Sequence, residues 1–249
     1  MNYSDWNMLQ NHYYLGMRNT GPSRTLTGDV IVIHILINDM RSSWLYGSHV
    51  AEYQYAADRM GSYLMYEAAR SGQNLSVRSV FCQVNLPIFA DQSGNWIPTA
   101  FACMGFPNAA SMQHYYEQQY HCSEAPIIFA LNCPMRSFAS VNNTRSYFRQ
   151  DEFSVVFRHT TGLFEPRVLA HELLHQFGAT DYYYPQVTVN AAYRYFPYSI
   201  MFQNGDEVDD LTRFLIGWTD EITPRAMAFL RETSCVDDEM LMRARMQGV

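Results

Sequence analysis

Lysine is absent from this chain of 249 residues, in which all 17 basic side chains are arginines. An ordinary lysine usage of about 6% would give roughly 15 of them. A genomic base bias toward Arg would also be expected to enrich glycine, yet the chain has only 13 Gly. Base bias and selection against the lysine amine therefore both stay open as explanations.

Other absences exclude whole classes of protein. No window approaches 18 uninterrupted apolar residues, so no transmembrane helix is predicted. The first residues, MNYSDWNMLQ, lack the basic start and apolar core of a signal peptide, so none is visible in this chain. The net charge of −7 argues against nucleic-acid binding, which needs clustered basic side chains. Aromatic residues at 15% argue against disorder.

The cysteines form no CxxC pair, so a cysteine-based zinc site is not predicted. They stand at positions 82, 103, 122, 133 and 235. Cys103 and Cys122 flank residues 104–121, which have no strong predicted element, while Cys82 lies on a predicted strand and Cys133 at the end of one. We expect disulfides 103–122 and 82–133, with the other pairings open, and Cys235 left to pair beyond this chain.

Hydrophobic patterns predict a sheet in the first two-thirds of the chain, followed by helices. Strands are expected at 28–38, 75–89, 126–132, 137–141 and 153–159, and helices at 48–70, 166–177, 211–218 and from 224 onward. In the first strand His34 is predicted to be a buried core residue. Ser48 is expected to cap the first helix and Gly72 to end it. This order indicates an α+β (α/β-like) fold.

The segment HELLHQFGATD carries the candidate chemistry. His171 and His175 are one helical turn apart, so both imidazoles project from one face and supply half of a tetrahedral zinc site. Glu172 is placed to take a proton from an activated water. Gly178 can end the helix at a positive φ, which would turn the chain back and bring Asp181 in as the third ligand.

These residues resemble the HExxHxxGxx(H/D) motif of the metzincin zinc endopeptidases, in which a minority, including the snapalysin-like enzymes, use Asp as the third ligand. Met201, in YSIMF, is similar to the methionine of the Met-turn that lies beneath the metal. Some members have a tyrosine two residues after that methionine, where this chain has Gln203. Tyr198 or one of Tyr182, Tyr183 and Tyr184 stays open as a substitute.

The resemblance implies a metzincin-type fold: a twisted, mostly parallel sheet with one antiparallel edge strand, an active-site helix, a Met-turn and C-terminal helices. It implies Zn²⁺ bound by His171, His175 and Asp181, with Glu172 as the general base of peptide-bond hydrolysis. Residues 1–232 are expected to form one catalytic domain with an N-terminal extension at 1–27, and 233–249 a tail. Residues 137–141 are the candidate edge strand for pairing with a peptide substrate.

The missing lysines add a second resemblance, because ubiquitin is attached mainly to lysine amines. Catalytic A subunits of A-B toxins that reach a eukaryotic cytosol through the degradation route of the secretory pathway are similarly poor in lysine. A metzincin A subunit on a cholera-like pentameric B ring is a known arrangement, which implies secretion, a B-subunit partner and delivery into host cells. Cys235, followed by Arg243 and Arg245, is similar to the nicked, disulfide-bridged loop of such subunits.

Three alternatives stay open. An ordinary secreted bacterial metalloprotease would have the same motif without a B-subunit partner. A metal-binding pseudo-enzyme would have no need of Glu172. A surface adhesin would be expected to contain repeats or a stalk composition, which the chain lacks.

Overall fold

The computed structural model describes residues 12–141, 151–203 and 205–236 of the chain. A five-stranded sheet lies at its centre. The strands are β1 (Gly28–Asn38), β2 (Leu75–Asn85), β3 (Ile127–Pro134), β4 (Phe138–Ser140) and β5 (Phe153–Arg158). They follow the order β2-β1-β3-β5-β4, and only β4 runs antiparallel to its neighbour. The α+β class and the mostly parallel sheet with an antiparallel edge strand are confirmed, although β2 ends at Asn85 instead of residue 89.

β1 is buried on both faces, as its continuous run of β-branched and aliphatic residues predicts. His34 is fully buried within it, in hydrogen-bond contact with the Tyr53 hydroxyl at 2.9 Å and the Ser79 hydroxyl at 3.2 Å. Burial lowers the pKa of His34 to about 3, so the ring is neutral at physiological pH. The prediction of a satisfied core histidine is confirmed.

The described residues contain seven α-helices and one short 3-10 helix, Tyr14–Met17. The helices are α1 (Gly47–Arg70), α2 (Ile97–Cys103), α3 (Ala109–Tyr120), α4 (Pro166–Gln176), α5 (Gln186–Tyr195), α6 (Asp210–Leu215) and α7 (Pro224–Glu232). None of them is long and apolar enough to cross a membrane.

The predicted helix at 48–70 is confirmed, but its start differs. Tyr46 occupies the N-cap position of α1 and no side chain caps that end, so the expected role of Ser48 is wrong. Gly72 follows the last turn with φ +72°, as a helix-ending glycine should. The buried stripe of α1 faces the sheet and packs on β2, which positions the helix across the core.

Residues 104–121 are mostly helical, so their interpretation as a segment without structure of its own is wrong. The Asn108 side chain accepts a hydrogen bond from the Ser111 backbone N–H at 2.9 Å and caps α3. The polar and aromatic composition of α3 hides its periodicity because only Ala109, Met112 and Gln113 are buried. The short helices α2 and α5 were missed as well.

The expected disulfides are not formed: all five cysteines are free thiols in the structure. For Cys82 and Cys133 the sheet order gives the reason, because β1 lies between β2 and β3. The two cysteines are therefore separated by two strand spacings, about 9.5 Å, and Cys82 aligns through Ile35 with Phe129 rather than with Cys133. A disulfide requires Cα atoms within about 7 Å.

Residues 12–27 pack against the helical part of the core. Tyr14 is buried, with its hydroxyl 3.0 Å from the Thr188 hydroxyl, and His12 Nε2 donates to the Leu230 carbonyl at 2.9 Å. The described part of the predicted N-terminal extension, residues 12–27, therefore belongs to the same hydrophobic core as α4 and α7. Of the predicted tail, positions 237–249 lie outside the described residues.

Candidate metal centre

Helix α4 carries the HExxH segment and begins at Pro166, where the missing N–H of proline has no cost. The helix packs against α1, β4 and β5. Ser154 of β5 donates a hydrogen bond from its hydroxyl to the Glu172 carbonyl at 2.6 Å, and Gln176 binds the Ile127 backbone at both its N–H and its C=O. These contacts hold α4 against the sheet at the turn that carries the candidate ligands.

Gly178 ends α4 with φ +95°, a conformation that an L-residue rarely adopts. The Ala179 N–H bonds the Leu174 carbonyl at 3.1 Å and the Gly178 N–H bonds the His175 carbonyl at 3.0 Å, which closes the last turn. A methyl group on Gly178 would also lie 2.6 Å from the Met17 carbonyl oxygen. The glycine is therefore required by both its backbone conformation and its close approach to the N-terminal segment.

This turn brings three donor atoms together. His171 Nε2 and His175 Nε2 are 3.2 Å apart, and Asp181 Oδ1 lies 3.1 Å from the first and 3.3 Å from the second. Tetrahedral coordination with bonds of 2.0–2.1 Å places ligand atoms about 3.3 Å apart. The three side chains therefore fit a tetrahedral metal ion with one position left open.

The other nitrogen of each imidazole is engaged by a backbone carbonyl. His171 Nδ1 lies 2.9 Å from the Ile200 carbonyl and His175 Nδ1 lies 2.8 Å from the Ala179 carbonyl. A carbonyl oxygen can only accept, so both Nδ1 atoms carry a proton. Each Nε2 is then available as a metal ligand, and the contacts that orient metal-binding histidines in proteins are of this kind.

Charges within the cluster shift its pKa values. Burial lowers the pKa of His175, but the Asp181 carboxylate more than offsets it and raises the value to about 9. His171 is raised in the same way. For Asp181 partial removal from water raises the pKa, yet the two imidazoles outweigh that effect and hold the value well below the ordinary range. The Asp181 carboxylate therefore favours protonated imidazoles, and a metal ion would have to displace those protons from Nε2.

Glu172 is buried beside this cluster. Its carboxylate lies within 4.8 Å of the ligand atoms of both histidines. Burial raises its pKa, and the positive charges of the two histidines and of Arg136 partly counteract that effect. By contrast, the side chain of Asp181 is 44% exposed, so solvent reaches the cluster from the Asp181 side.

The segment around Met201 lies directly beside Asp181 in space. The Tyr182 N–H donates to the Met201 carbonyl at 3.1 Å, and Met201 itself is fully buried. The Met201 N–H donates to the Ser199 hydroxyl at 3.0 Å, while that hydroxyl donates to Asp209 at 2.5 Å. The turn that presents the Ile200 carbonyl to His171 is thus anchored to the first turn of α6.

Asp209 was not among the predicted functional residues. It caps α6 by accepting from the N–H groups of Leu211 and Thr212, and it also accepts from the Tyr182 hydroxyl at 3.2 Å. The DDLTR segment carries an ordinary helix-capping signal, which gave no reason to connect it with the candidate centre. Its link to Ser199 arises only from the fold.

The candidate tyrosines differ in position. Tyr183 stacks on the His171 ring at 6.0 Å between centroids, whereas the Tyr182 hydroxyl is engaged with Asp209 and Tyr198 is 68% exposed. Gln203, with φ +54°, contacts the Tyr193 hydroxyl. Among the tyrosines left open from the sequence, Tyr183 is the one whose ring contacts a candidate ligand in the described residues.

No protein-family profile matches the chain, and no curated protein is significantly similar to it in sequence. The candidate centre therefore has to be interpreted from its own geometry.

Proposed function

We propose that this protein is a zinc-dependent endopeptidase of the metzincin type. The observation that carries the proposal is the convergence of His171 Nε2, His175 Nε2 and Asp181 Oδ1 within 3.1–3.3 Å of one another, beside the buried carboxylate of Glu172. Two neutral imidazoles and one carboxylate form a typical donor set of catalytic zinc. A protein that only binds metal would have no need of a carboxylate in the position of Glu172.

When bound, zinc supplies a Lewis acid that lowers the pKa of water toward 7 and polarises a peptide carbonyl. His171, His175 and Asp181 hold the ion, and the carbonyls of Ile200 and Ala179 keep the imidazoles in the required tautomer. Glu172 takes the proton of the attacking water and delivers it to the leaving amine. Its burial supports this role because a raised pKa makes the carboxylate a stronger base.

The edge strand β4 supplies a place for an extended peptide beside this centre. β4 pairs with β5 through Ala139 and Ser154, and the Ser154 hydroxyl binds the Glu172 carbonyl. A peptide that adds to β4 through backbone hydrogen bonds would therefore run past the turn of α4 that carries Glu172. The exposed side of Asp181 leaves solvent access to the same point.

The proposal is tested first by metal content and by proteolysis of an unfolded-protein digest, with new peptide ends identified by mass spectrometry. Glu172→Gln should retain one zinc per chain and lose about 10²- to 10⁴-fold in cleavage rate, since it removes the base but no ligand. Glu165→Gln, at the partly exposed start of α4, is the matched control and should cleave normally. Normal cleavage by Glu172→Gln would contradict the mechanism.

Asp181→Asn is the matched test of the ligand set. It keeps the size of the side chain but replaces the carboxylate with a weak neutral ligand. We expect a lower zinc affinity, measured by competition with a chromophoric chelator. Unchanged zinc affinity would exclude Asp181 as the third ligand. If the protein bound another metal stoichiometrically in preference to zinc, the proposed identity of the metal would be wrong.

We further propose that the protease is the catalytic subunit of a secreted A-B toxin that acts inside host cells. The lack of Lys and the exposed free thiol of Cys235 support this. The test introduces lysine at two exposed arginines, Arg59→Lys and Arg78→Lys, with Arg→Gln at the same positions as controls. In a eukaryotic cytosol the Lys variants should be degraded faster in a proteasome-dependent manner. Equal half-lives would remove the selective reason for lacking Lys.

A further inference from the structure

Arg136 lies in the connection between β3 and β4, two residues before the edge strand begins. Its side chain is exposed, but its backbone is anchored on both sides. Gln92 Nε2 donates to the Arg136 carbonyl at 3.2 Å, and the neighbouring Ser137 hydroxyl accepts from the Phe157 N–H at 3.1 Å. The position from which the guanidinium projects is therefore held by the fold.

The guanidinium of Arg136 has no ion-pair or hydrogen-bond partner among the described residues. The acidic side chains of the neighbouring loops are engaged elsewhere: Asp39 accepts from the N–H groups of Arg41, Ser42 and Ala90, and Asp91 from Ser93. The sequence of residues 142–150, which follows β4, contains no Asp or Glu. None of these carboxylates therefore accepts a hydrogen bond from the guanidinium of Arg136.

The distance of Arg136 from the centre follows from the strand register. Ala139, three residues after Arg136, pairs with Ser154, and the Ser154 hydroxyl binds the Glu172 carbonyl at 2.6 Å. Three extended residues span about 10 Å. In agreement, the charge of Arg136 acts on Glu172 and lowers the pKa of its carboxyl against the opposing effect of burial. Arg136 therefore lies at the start of the edge strand with which a peptide would pair, close enough for its charge to act on Glu172.

We propose that Arg136 is a specificity-determining residue that binds an acidic side chain of the peptide substrate close to the scissile bond. Its planar, fork-shaped donors match a carboxylate, and the site faces solvent, so the pair forms only when substrate is present. The inference rests on the proposed peptidase function and names its substrate class: unfolded or extended segments with Asp or Glu beside the cleaved bond. The net charge of −7 repels acidic peptides at long range, so a local positive group would favour their binding at this point.

The first experiment measures peptide binding without cleavage. Fluorescent nine-residue pools with a fixed central Glu or a fixed central Lys are titrated against zinc-loaded Glu172→Gln protein at low salt, by anisotropy. We expect the Glu pool to bind about three- to tenfold more tightly than the Lys pool, the effect of one partly exposed charge pair. Adding Arg136→Glu should reverse the order. An unchanged order would overturn the proposal, whether or not the protein is a peptidase.

The second experiment reads the cleavage sites in an unfolded-protein digest. The wild-type protein should prefer Asp or Glu at a constant distance from the cleaved bond, Arg136→Ala should lose that preference, and Arg136→Glu should prefer Lys or Arg there. Arg78→Glu, an exposed arginine on the opposite edge strand β2, is the matched control and should keep the wild-type profile. The same change for Arg78→Glu would mean that net charge alone is responsible. Cleavage with an identical profile for Arg136→Glu would refute the inference but leave the peptidase function standing.

Discussion

Gly178→Ala should destabilise the protein more than the same change at Gly72, although the two glycines end their helices in the same way. After α1 the Gln73 N–H bonds the Ala68 carbonyl at 2.9 Å and the Gly72 N–H bonds the Ala69 carbonyl at 3.0 Å. The end of α4 has the same pair of bonds, and both glycines have a positive φ. They differ in their surroundings: nothing lies within 4 Å of a methyl group on Gly72, whereas one on Gly178 meets the Met17 carbonyl.

The magnitudes follow from these contacts. Alanine in a left-handed conformation costs about 1–2 kcal/mol, from which about 0.4–1 kcal/mol is recovered because the unfolded chain is less flexible. Gly72→Ala should therefore cost about 1 kcal/mol or less. At Gly178 a contact of 2.6 Å with a backbone oxygen adds an overpacking cost of about 1–3 kcal/mol. We expect a total of about 1–4 kcal/mol there.

Urea unfolding of both variants in the presence of a chelator measures this difference without a contribution from bound metal. Zinc affinity is then measured separately. Because Asp181 follows Gly178 by three residues, a backbone shift at Gly178 should weaken zinc binding, while Gly72→Ala should leave it unchanged. If the two variants lost the same stability within about 0.5 kcal/mol, the close approach to Met17 would have no energetic importance.

Three further predictions concern other parts of the molecule. Ser199→Ala leaves the buried Met201 N–H without its acceptor, so it should lower the free energy of unfolding by about 1–3 kcal/mol and zinc affinity about 10- to 100-fold. A loss of stability with unchanged zinc affinity would show that the turn does not position the metal ligands. Burial raises the pKa of Glu124 from near 4.5 to about 7, so the folded state binds this proton more tightly than the unfolded state and stability falls as pH rises from 4.5 to 7. Glu124→Gln should remove up to about 3 kcal/mol of this fall in the free energy of unfolding, measured from urea midpoints at pH 4.5 and 8. The same pH dependence of stability in the wild-type protein and the variant would refute this prediction. Unreduced protein should present five alkylatable thiols on denaturation and, when folded, react at Cys235 before Cys82, whose pKa burial raises to about 11; fewer than five would reveal a disulfide.

Local sequence patterns were sufficient to predict much of the sheet and the position of the two candidate histidine ligands on one helix face. The aliphatic run of β1 is long enough to specify a strand buried on both faces, and the Pro166 and Gly178 signals bracket α4. The spacing of His171 and His175 determines by helix geometry alone that both imidazoles share a face. These features depend on neighbours in the chain, so they can be predicted without knowledge of the fold.

The helices α2, α3 and α5 could not be predicted in this way. They are short and only part of each is buried, so their apolar positions are too few to form a clear period. The disulfide prediction was wrong for a related reason. Cys82 and Cys133 both lie on strands, as expected, but only the strand order placed β1 between them.

The sequence by itself determined most of the strands, helix α4 and the residue types of the candidate centre, because periodicity, capping and helix spacing act over a few residues. Only the tertiary structure decided how Asp181 meets the two imidazoles, how Ser199 and Asp209 hold the turn that contacts His171, and where Arg136 lies relative to Glu172. Those contacts join segments that are far apart in the chain. Their distances depend on the order of strands and the packing of α4 on the sheet, which no local pattern encodes.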